Sequence, residues 1–123
     1  MSDRAIPNQV LLDFSNSQLL SPVPKKLYES AKVYFNNKEL GLLQTAYNVA
    51  FEAHKDQFRK EGSAYITHPV EVALILMELH LDIETVCAGL MHDVLEDSFI
   101  KKSYLEKLFG KDIVAIVDGV SNL

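Results

Sequence analysis

Several residue types are scarce in this chain of 123 residues, which has no tryptophan, one cysteine, five glycines and four prolines. The single thiol, Cys87, excludes an intrachain disulfide and any zinc site built on several thiolates, and it fits a reducing compartment. No apolar run approaches the ~20 residues that a membrane-spanning helix needs. The N-terminus also lacks the basic and then apolar pattern of a secretory signal. We therefore expect a cytoplasmic protein that does not enter a membrane.

Basic residues are outnumbered, with 12 Lys and Arg against 17 Asp and Glu and a net charge of -5. A general hold on nucleic-acid phosphates needs a basic surface, so we predict no nucleic-acid partner. The length and the 48% of hydrophobic residues suit one domain with a single buried core.

The charge is unevenly distributed along the chain. Residues 61–100 contain no Lys or Arg, whereas they contain eight acidic residues and three of the four histidines. These carboxylates are either solvated faces of helices or, in part, a group that converges on a bound cation, which would relieve their mutual repulsion.

Apolar residues recur at helical spacing from residue 25 onward, and no stretch alternates apolar and polar residues in the manner of a strand. We predict an all-α fold, a bundle of about six helices joined by short loops. Residues 1–24 are expected to be a loosely ordered lead-in, and residues 25–123 to form the domain. One predicted helix reaches about residue 58 and is followed by a loop over residues 60–67. The predicted helix signals are Pro69 at a first position, Asp82 as an N-cap, a capping box from Ser103 to Glu106, a stop at Gly110 and a cap at Asp112.

The candidate site consists of two histidines and three acids. His68 lies at a predicted helix start, whereas His92, Asp93, Glu96 and Asp97 occupy spacings of three and four residues, which predict one shared helix surface. Imidazole and carboxylate together suit Mn²⁺, Fe²⁺ or Zn²⁺, and such an ion with open positions activates water near neutral pH. Glu96 and Asp97 could orient or deprotonate that water. The alternative is a polar helix end and a helix-start histidine, and the residues alone leave both open.

Two basic residues, Arg59 and Lys60, precede the acidic segment. A guanidinium can stack on a nucleobase and an ammonium can bind phosphate, and Tyr65 could pack against the same ligand. The more common arrangement is a pair of solvated cations at a helix C-terminus, where they interact favourably with the helix dipole.

Read in order, these motifs resemble a known family. The segments are residues 54–69 (HKDQFRKEGSAYITHP), 92–98 (HDVLEDS), 109–111 (FGK) and 117–121 (VDGVS). Together they are similar to the N-terminal HD hydrolase domain of the RelA/SpoT homologues, the enzymes of (p)ppGpp metabolism in the bacterial stringent response. The resemblance covers about residues 40–123.

The resemblance implies an all-helical HD domain that binds Mn²⁺ and removes pyrophosphate from the 3′ position of (p)ppGpp. It implies three metal ligands, an acidic pair that activates and positions water, and a basic pair that holds the guanine nucleotide. A C-terminal synthetase domain in the parent chain is also implied. By motif match, the metal ligands would be His68, His92 and Asp93, the acidic pair would be Glu96 and Asp97, and the basic pair would be Arg59 and Lys60.

The sequence departs from the family in three places. The usual Ser-Gly-Glu-Pro-Tyr loop is replaced by residues 61–65 (EGSAY), and a usual lysine is replaced by Asn122. No residue matches the family's last metal-ligand aspartate, and Asp118 lies too early to be assigned that role. We expect the chain to be truncated at its C-terminal end, and therefore to bind Mn²⁺ weakly and to hydrolyse poorly by itself. Two alternatives remain: a catalytically silent HD domain that regulates an adjacent synthetase, or an HD phosphohydrolase of another nucleotide.

Overall fold

The computed structural model describes residues 23–121, and within that range the chain forms seven helices and no strand beyond one isolated bridge between Phe58 and Ala64. The all-α prediction is confirmed. Most of the predicted lead-in falls outside the described residues. None of the described helices is long and apolar enough to cross a membrane. The helices are α1 (Lys25–Ala31), α2 (Asn37–His54), α3 (Thr67–Glu78), α4 (Ile83–Leu90), α5 (Val94–Asp97), α6 (Lys102–Phe109) and α7 (Lys111–Ser121).

Side-chain caps fix the starts of two helices. The Asn36 side chain accepts a hydrogen bond from the Glu39 amide, and the Glu39 carboxylate accepts one from the Asn36 amide, so that both orphan donors are satisfied at the start of α2. Asp82 caps α4 through the Thr85 amide at 2.9 Å, as predicted. Gly110 ends α6 with φ 85°, also as predicted, since glycine adopts that conformation without a steric penalty.

Three other predicted boundaries are wrong by one or two residues. Helix α3 begins at Thr67, which makes Pro69 its third residue; proline is tolerated there because amides of the first turn have no acceptor within the helix. Helix α6 begins at Lys102 with no side-chain cap, so Ser103 does not form the predicted box. Helix α7 begins at Lys111, and Asp112 lies in its first turn, where a carboxylate favours the helix dipole.

Helix α4 lies at the centre of the bundle, packed against α3, α2 and α7. It is apolar on every side that the bundle covers, and Cys87 and Leu90 are fully buried, as expected for core residues. Gly89 allows α4 to approach α3 closely, because a Cβ at this position would lie 2.5 Å from Cδ1 of Leu76. This close approach matters for the site, because α3 carries His68 and α4 leads into His92.

Candidate metal centre

The chain turns sharply between α4 and α5, at His92 and Asp93. Helix α4 ends at Leu90, and the backbone of Asp93 has φ -101° and ψ 0°. The prediction that His92 through Asp97 share one continuous helix surface is therefore wrong. The amide of Val94 donates to the carbonyl of Met91, a tighter turn than an α-helix makes, and periodicity alone does not reveal such a break.

Three of the predicted site residues converge. The Nε2 atoms of His68 and His92 are 3.3 Å apart, and Oδ2 of Asp93 lies 3.1 Å from Nε2 of His92 and 3.9 Å from Nε2 of His68. Ligand atoms held about 2.1 Å from one ion are separated by roughly 3.0 to 3.4 Å at octahedral to tetrahedral angles. Two of the three separations lie in or beside that range and the third is slightly wider, so the donor set fits a divalent cation.

The orientation of the His92 ring also suits a ligand. Its Nδ1 lies 2.7 Å from the carbonyl oxygen of Gly89, and because a carbonyl only accepts, Nδ1 carries the proton. The lone pair is then on Nε2, which faces His68 and Asp93. A backbone carbonyl that fixes the tautomer is a usual partner of metal-ligating histidine.

Solvent can reach the cluster. His68 keeps 35% of its side-chain exposure, Asp93 22% and His92 18%. A buried cluster of this kind would be closed to a substrate, whereas partial exposure leaves room for an ion together with further ligands.

Tyr65, which the sequence predicts to pack against a bound ligand, also belongs to this centre. Its hydroxyl donates a hydrogen bond to Oδ2 of Asp93, the same oxygen that faces the two histidines. Burial, followed by the bond to Asp93, raises the pKa of Tyr65, so the hydroxyl stays protonated and keeps donating. Its ring lies 4.7 Å from that of His54 and 5.6 Å from that of His68.

Behind Tyr65, His54 and Gln57 form a hydrogen-bonded pair. His54 is buried, and its Nδ1 lies 2.9 Å from Oε1 of Gln57. Nε2 of Gln57 donates to the carbonyl of Ala53 at 3.2 Å and to that of Asp97 at 2.9 Å. Gln57 and Asp97 are 40 residues apart in sequence, so spacing within one helix could not indicate this contact.

The predicted acidic pair lies beside the cluster. Glu96 and Asp97 are exposed on α5, and the ligand atoms that converge belong to the other three residues. The charge of Asp97 contributes to raising the pKa of Tyr65, which places this carboxylate near the centre. The proposed roles of Glu96 and Asp97 remain predictions.

The predicted basic pair lies in a tight hairpin rather than on a helix. Helix α2 ends at His54, not near residue 58, so Arg59 and Lys60 are too far along the chain to be helix-end cations. The Arg59 amide donates to the carbonyl of Ser63, and the turn requires Gly62 at φ 107°.

The two basic side chains differ in what they contact. The guanidinium of Arg59 pairs with Glu61 at 3.6 Å and with Glu71 of α3 at 3.3 Å, whereas Lys60 is exposed. Both ion pairs are open to solvent, and such pairs are easily exchanged for another anion.

A profile of the HD domain family matches residues 46–123, which span the whole cluster and the hairpin. The chain belongs to the HD domain family. Among its relatives, the bifunctional (p)ppGpp synthase/hydrolase SpoT of Escherichia coli K12 is 44% identical over 99 residues, 80% of this chain and 14% of that protein. The guanosine-3′,5′-bis(diphosphate) 3′-pyrophosphohydrolase of Haemophilus influenzae is 52% identical over 75 residues, 61% of this chain and 11% of that protein.

A relative with a different printed name is the GTP pyrophosphokinase of Myxococcus xanthus, 37% identical over 100 residues, 81% of this chain and 13% of that protein. This HD domain thus spans about a seventh of the length of the curated relatives that it matches. The resemblance to the HD domain of the RelA/SpoT homologues is confirmed.

Proposed function

We propose that this HD domain is a metal-dependent (p)ppGpp 3′-pyrophosphohydrolase, which cleaves pyrophosphate from the 3′ position and leaves GDP or GTP. The observation that carries the proposal is the convergence of Nε2 of His68, Nε2 of His92 and Oδ2 of Asp93. The names of several relatives support the substrate. We propose further that the domain works in the cytoplasm, beside a synthetase domain in a longer protein.

His68, His92 and Asp93 are the proposed ligands, and Mn²⁺ is the proposed ion. Two imidazoles and one carboxylate also suit Fe²⁺ and Zn²⁺, so the choice of Mn²⁺ follows the resemblance. A divalent ion held there would supply Lewis acidity for a phosphoryl group and would make a bound water a nucleophile near neutral pH. The carbonyl of Gly89 keeps the His92 tautomer correct, and the Tyr65 hydroxyl holds Asp93 in place.

The acidic and basic pairs are the proposed groups that act on the substrate. Glu96 and Asp97 would accept the proton of the attacking water and orient it. Arg59 and Lys60 would hold the guanine nucleotide, by stacking and by contact with phosphate. Asp97 and Arg59 both act on the pKa of Tyr65, one raising it and the other lowering it, so both charges lie within electrostatic reach of that hydroxyl.

The charge distribution supports the need for a cation. Residues 61–100 carry eight acidic side chains and no basic one, so their field repels a polyphosphate. A divalent ion at the cluster and the two basic side chains of the hairpin would offset that repulsion.

Release of pyrophosphate from ppGpp, followed with and without added Mn²⁺, tests the proposal in this chain and in the full-length protein of its gene. We expect His92→Ala and Asp93→Asn to abolish both Mn²⁺ binding and hydrolysis. Glu96→Gln and Asp97→Asn should retain Mn²⁺ and lose hydrolysis. Lys102→Met, which removes a surface ion pair with Asp118, is the control.

Two results would contradict the proposal. Metal-independent hydrolysis would reject the metal-dependent chemistry, and absence of hydrolysis in the full-length protein would reject the activity. Competition among guanine and adenine nucleotides in the same assay would detect an HD phosphohydrolase with another substrate.

One observation favours the alternative of a silent regulatory domain. Glu61 replaces the usual family serine and pairs with Arg59, and the Ser63 hydroxyl donates to its carboxylate at 2.7 Å. Arg59 is therefore partly occupied before any nucleotide arrives. If the domain is active, Glu61→Ser should lower KM by up to about fivefold, since exposed ion pairs are weak. A silent domain would remain inactive in this variant.

A further inference from the structure

We infer that Gln57 is a positioning residue for the metal centre, although none of its hydrogen bonds in the described part of the chain goes to His68, His92 or Asp93. The inference rests on the metal site of the proposed function. It concerns what holds Asp93 and Asp97 in place, and it follows from five hydrogen bonds that involve this one residue.

The side-chain amide of Gln57 can have only one orientation. Its Nε2 faces two carbonyl oxygens, those of Ala53 and Asp97, so both N–H groups have acceptors. Its Oε1 must therefore accept from Nδ1 of His54 at 2.9 Å. This fixes the proton of His54 on Nδ1 and leaves Nε2 without a proton. Consistent with this, Nε2 of His54 is buried and has no hydrogen-bond partner among the described residues.

The bond from Gln57 to Asp97 anchors the end of α5. That helix has four residues, so its own hydrogen bonds are few, and the carbonyl of Asp97 is one of the orphan groups at its C-terminus. Because Asp93 immediately precedes the helix, and its carbonyl accepts from the Asp97 amide at 2.9 Å, a shift of α5 would move Asp93 with it.

The backbone of Gln57 holds Tyr65, whose hydroxyl donates to Asp93. Its carbonyl accepts from the amide of Tyr65 at 2.9 Å, and its own amide donates to the carbonyl of His54 at 2.9 Å. The ring of His54, oriented by the Gln57 side chain, packs 4.7 Å from the ring of Tyr65. Gln57 thereby fixes both the turn that carries Asp93 and the tyrosine that bonds its carboxylate.

Two substitutions of Gln57 test the hydrogen bonds of its side-chain amide while nearly keeping the size of the side chain. Gln57→Met keeps the length and removes all side-chain hydrogen bonds. Gln57→Glu keeps an acceptor for His54 but places a carboxylate against two carbonyl oxygens. Gln44→Met, in α2 and 13 residues before Gln57, is the matched control.

Binding is measured by calorimetric titration with Mn²⁺ at a temperature where circular dichroism shows each variant fully folded. We expect both Gln57 variants to bind Mn²⁺ at least about tenfold more weakly than the unchanged chain, as is usual when a hydrogen-bond partner of a metal ligand is removed. The control should bind as the unchanged chain does. Affinities within about twofold for all three variants would overturn the inference. That result would leave the proposed function intact, since loss of binding in His92→Ala is measured separately.

A second measurement needs neither metal nor activity. In the metal-free protein, Gln57→Met should accelerate hydrogen exchange at the amides of Tyr65 and Asp97, because the segments that carry them lose an anchor. Gln44→Met should not. Unchanged exchange at both amides in Gln57→Met would overturn the inference even if the chain binds Mn²⁺ too weakly for calorimetry.

Discussion

Replacement of Tyr65 by phenylalanine is the sharpest perturbation of the metal centre, because it removes one oxygen and leaves the ring. The hydroxyl donates to Oδ2 of Asp93, while the ring packs against His54 and His68. Only the hydrogen bond to the carboxylate is lost. A hydrogen bond to a charged group contributes about 1.5 to 3 kcal/mol.

That energy sets the size of the expected effect. If the bond is equally strong with and without metal, Tyr65→Phe changes stability alone; if it acts by preorganising Asp93, the loss appears in metal affinity. Each ~1.4 kcal/mol corresponds to a factor of ten, so the upper limit is roughly 100-fold. We expect Mn²⁺ to bind about 10-fold more weakly, within the range for outer-shell partners.

Calorimetric titration of Mn²⁺ into the two proteins is the assay, and Tyr34→Phe is its matched control. The Tyr34 hydroxyl donates to the carbonyl of Leu81 at 3.3 Å, so this variant also loses one tyrosine hydrogen bond, but away from the cluster. Equal weakening in both variants would refute the reasoning, because it would show a general effect of stability. Tighter binding by Tyr65→Phe would also refute it, since the hydroxyl would then compete with the ion for Oδ2.

Three further predictions concern the scaffold. Hydrogen bonds from Thr85 lower the pKa of Asp82, and loss of this cap in Asp82→Ala should lower the free energy of unfolding in urea at pH 7 by about 1 kcal/mol. This loss should shrink as the pH falls below about 4, where the Asp82 carboxyl of the unchanged chain protonates. A loss that does not depend on pH would contradict the prediction. Gly89→Ala should destabilise by about 1 to 3 kcal/mol through overpacking against Leu76 and weaken Mn²⁺ binding. Gly41→Ala should not destabilise, because among the described residues its new Cβ meets no neighbour within 4 Å. Burial raises the pKa of Cys87 to about 12, so Ellman's reagent at pH 8 should label it only in denaturant; rapid labelling of the native chain would contradict the packing.

Sequence periodicity was sufficient for most of the helices, but only some of their ends, such as those at Asp82 and Gly110, were predicted correctly. The apolar face of a helix is formed by residues three and four apart, so a short stretch of sequence reveals it. Caps such as Asp82 and stops such as Gly110 act within one turn of the helix. Where local signals competed, as at Ser103 and Pro69, the boundary moved by one or two residues because packing of the bundle decides between neighbouring registers.

The resemblance supplied the three residues whose side chains converge, but the reason given from spacing was wrong. His92 and Asp93 do not lie on a continuous helix; they occupy a turn, and the turn is what aims both at His68. The contact between His68 and His92 joins residues 24 apart in sequence, and α4 approaches α3 closely at Gly89; no local pattern indicates either feature.

The sequence by itself determined most of the helices and which side chains can bind a metal, because propensity, capping and ligand chemistry are local properties. Only the tertiary structure placed the Tyr65 hydroxyl on Asp93, the Gln57 amide on the carbonyl of Asp97 and the Arg59 guanidinium between two glutamates. The Tyr65 and Gln57 contacts join segments 28 and 40 residues apart. Such contacts arise from how the helices pack together, and packing is the sum of many weak interactions over the whole bundle.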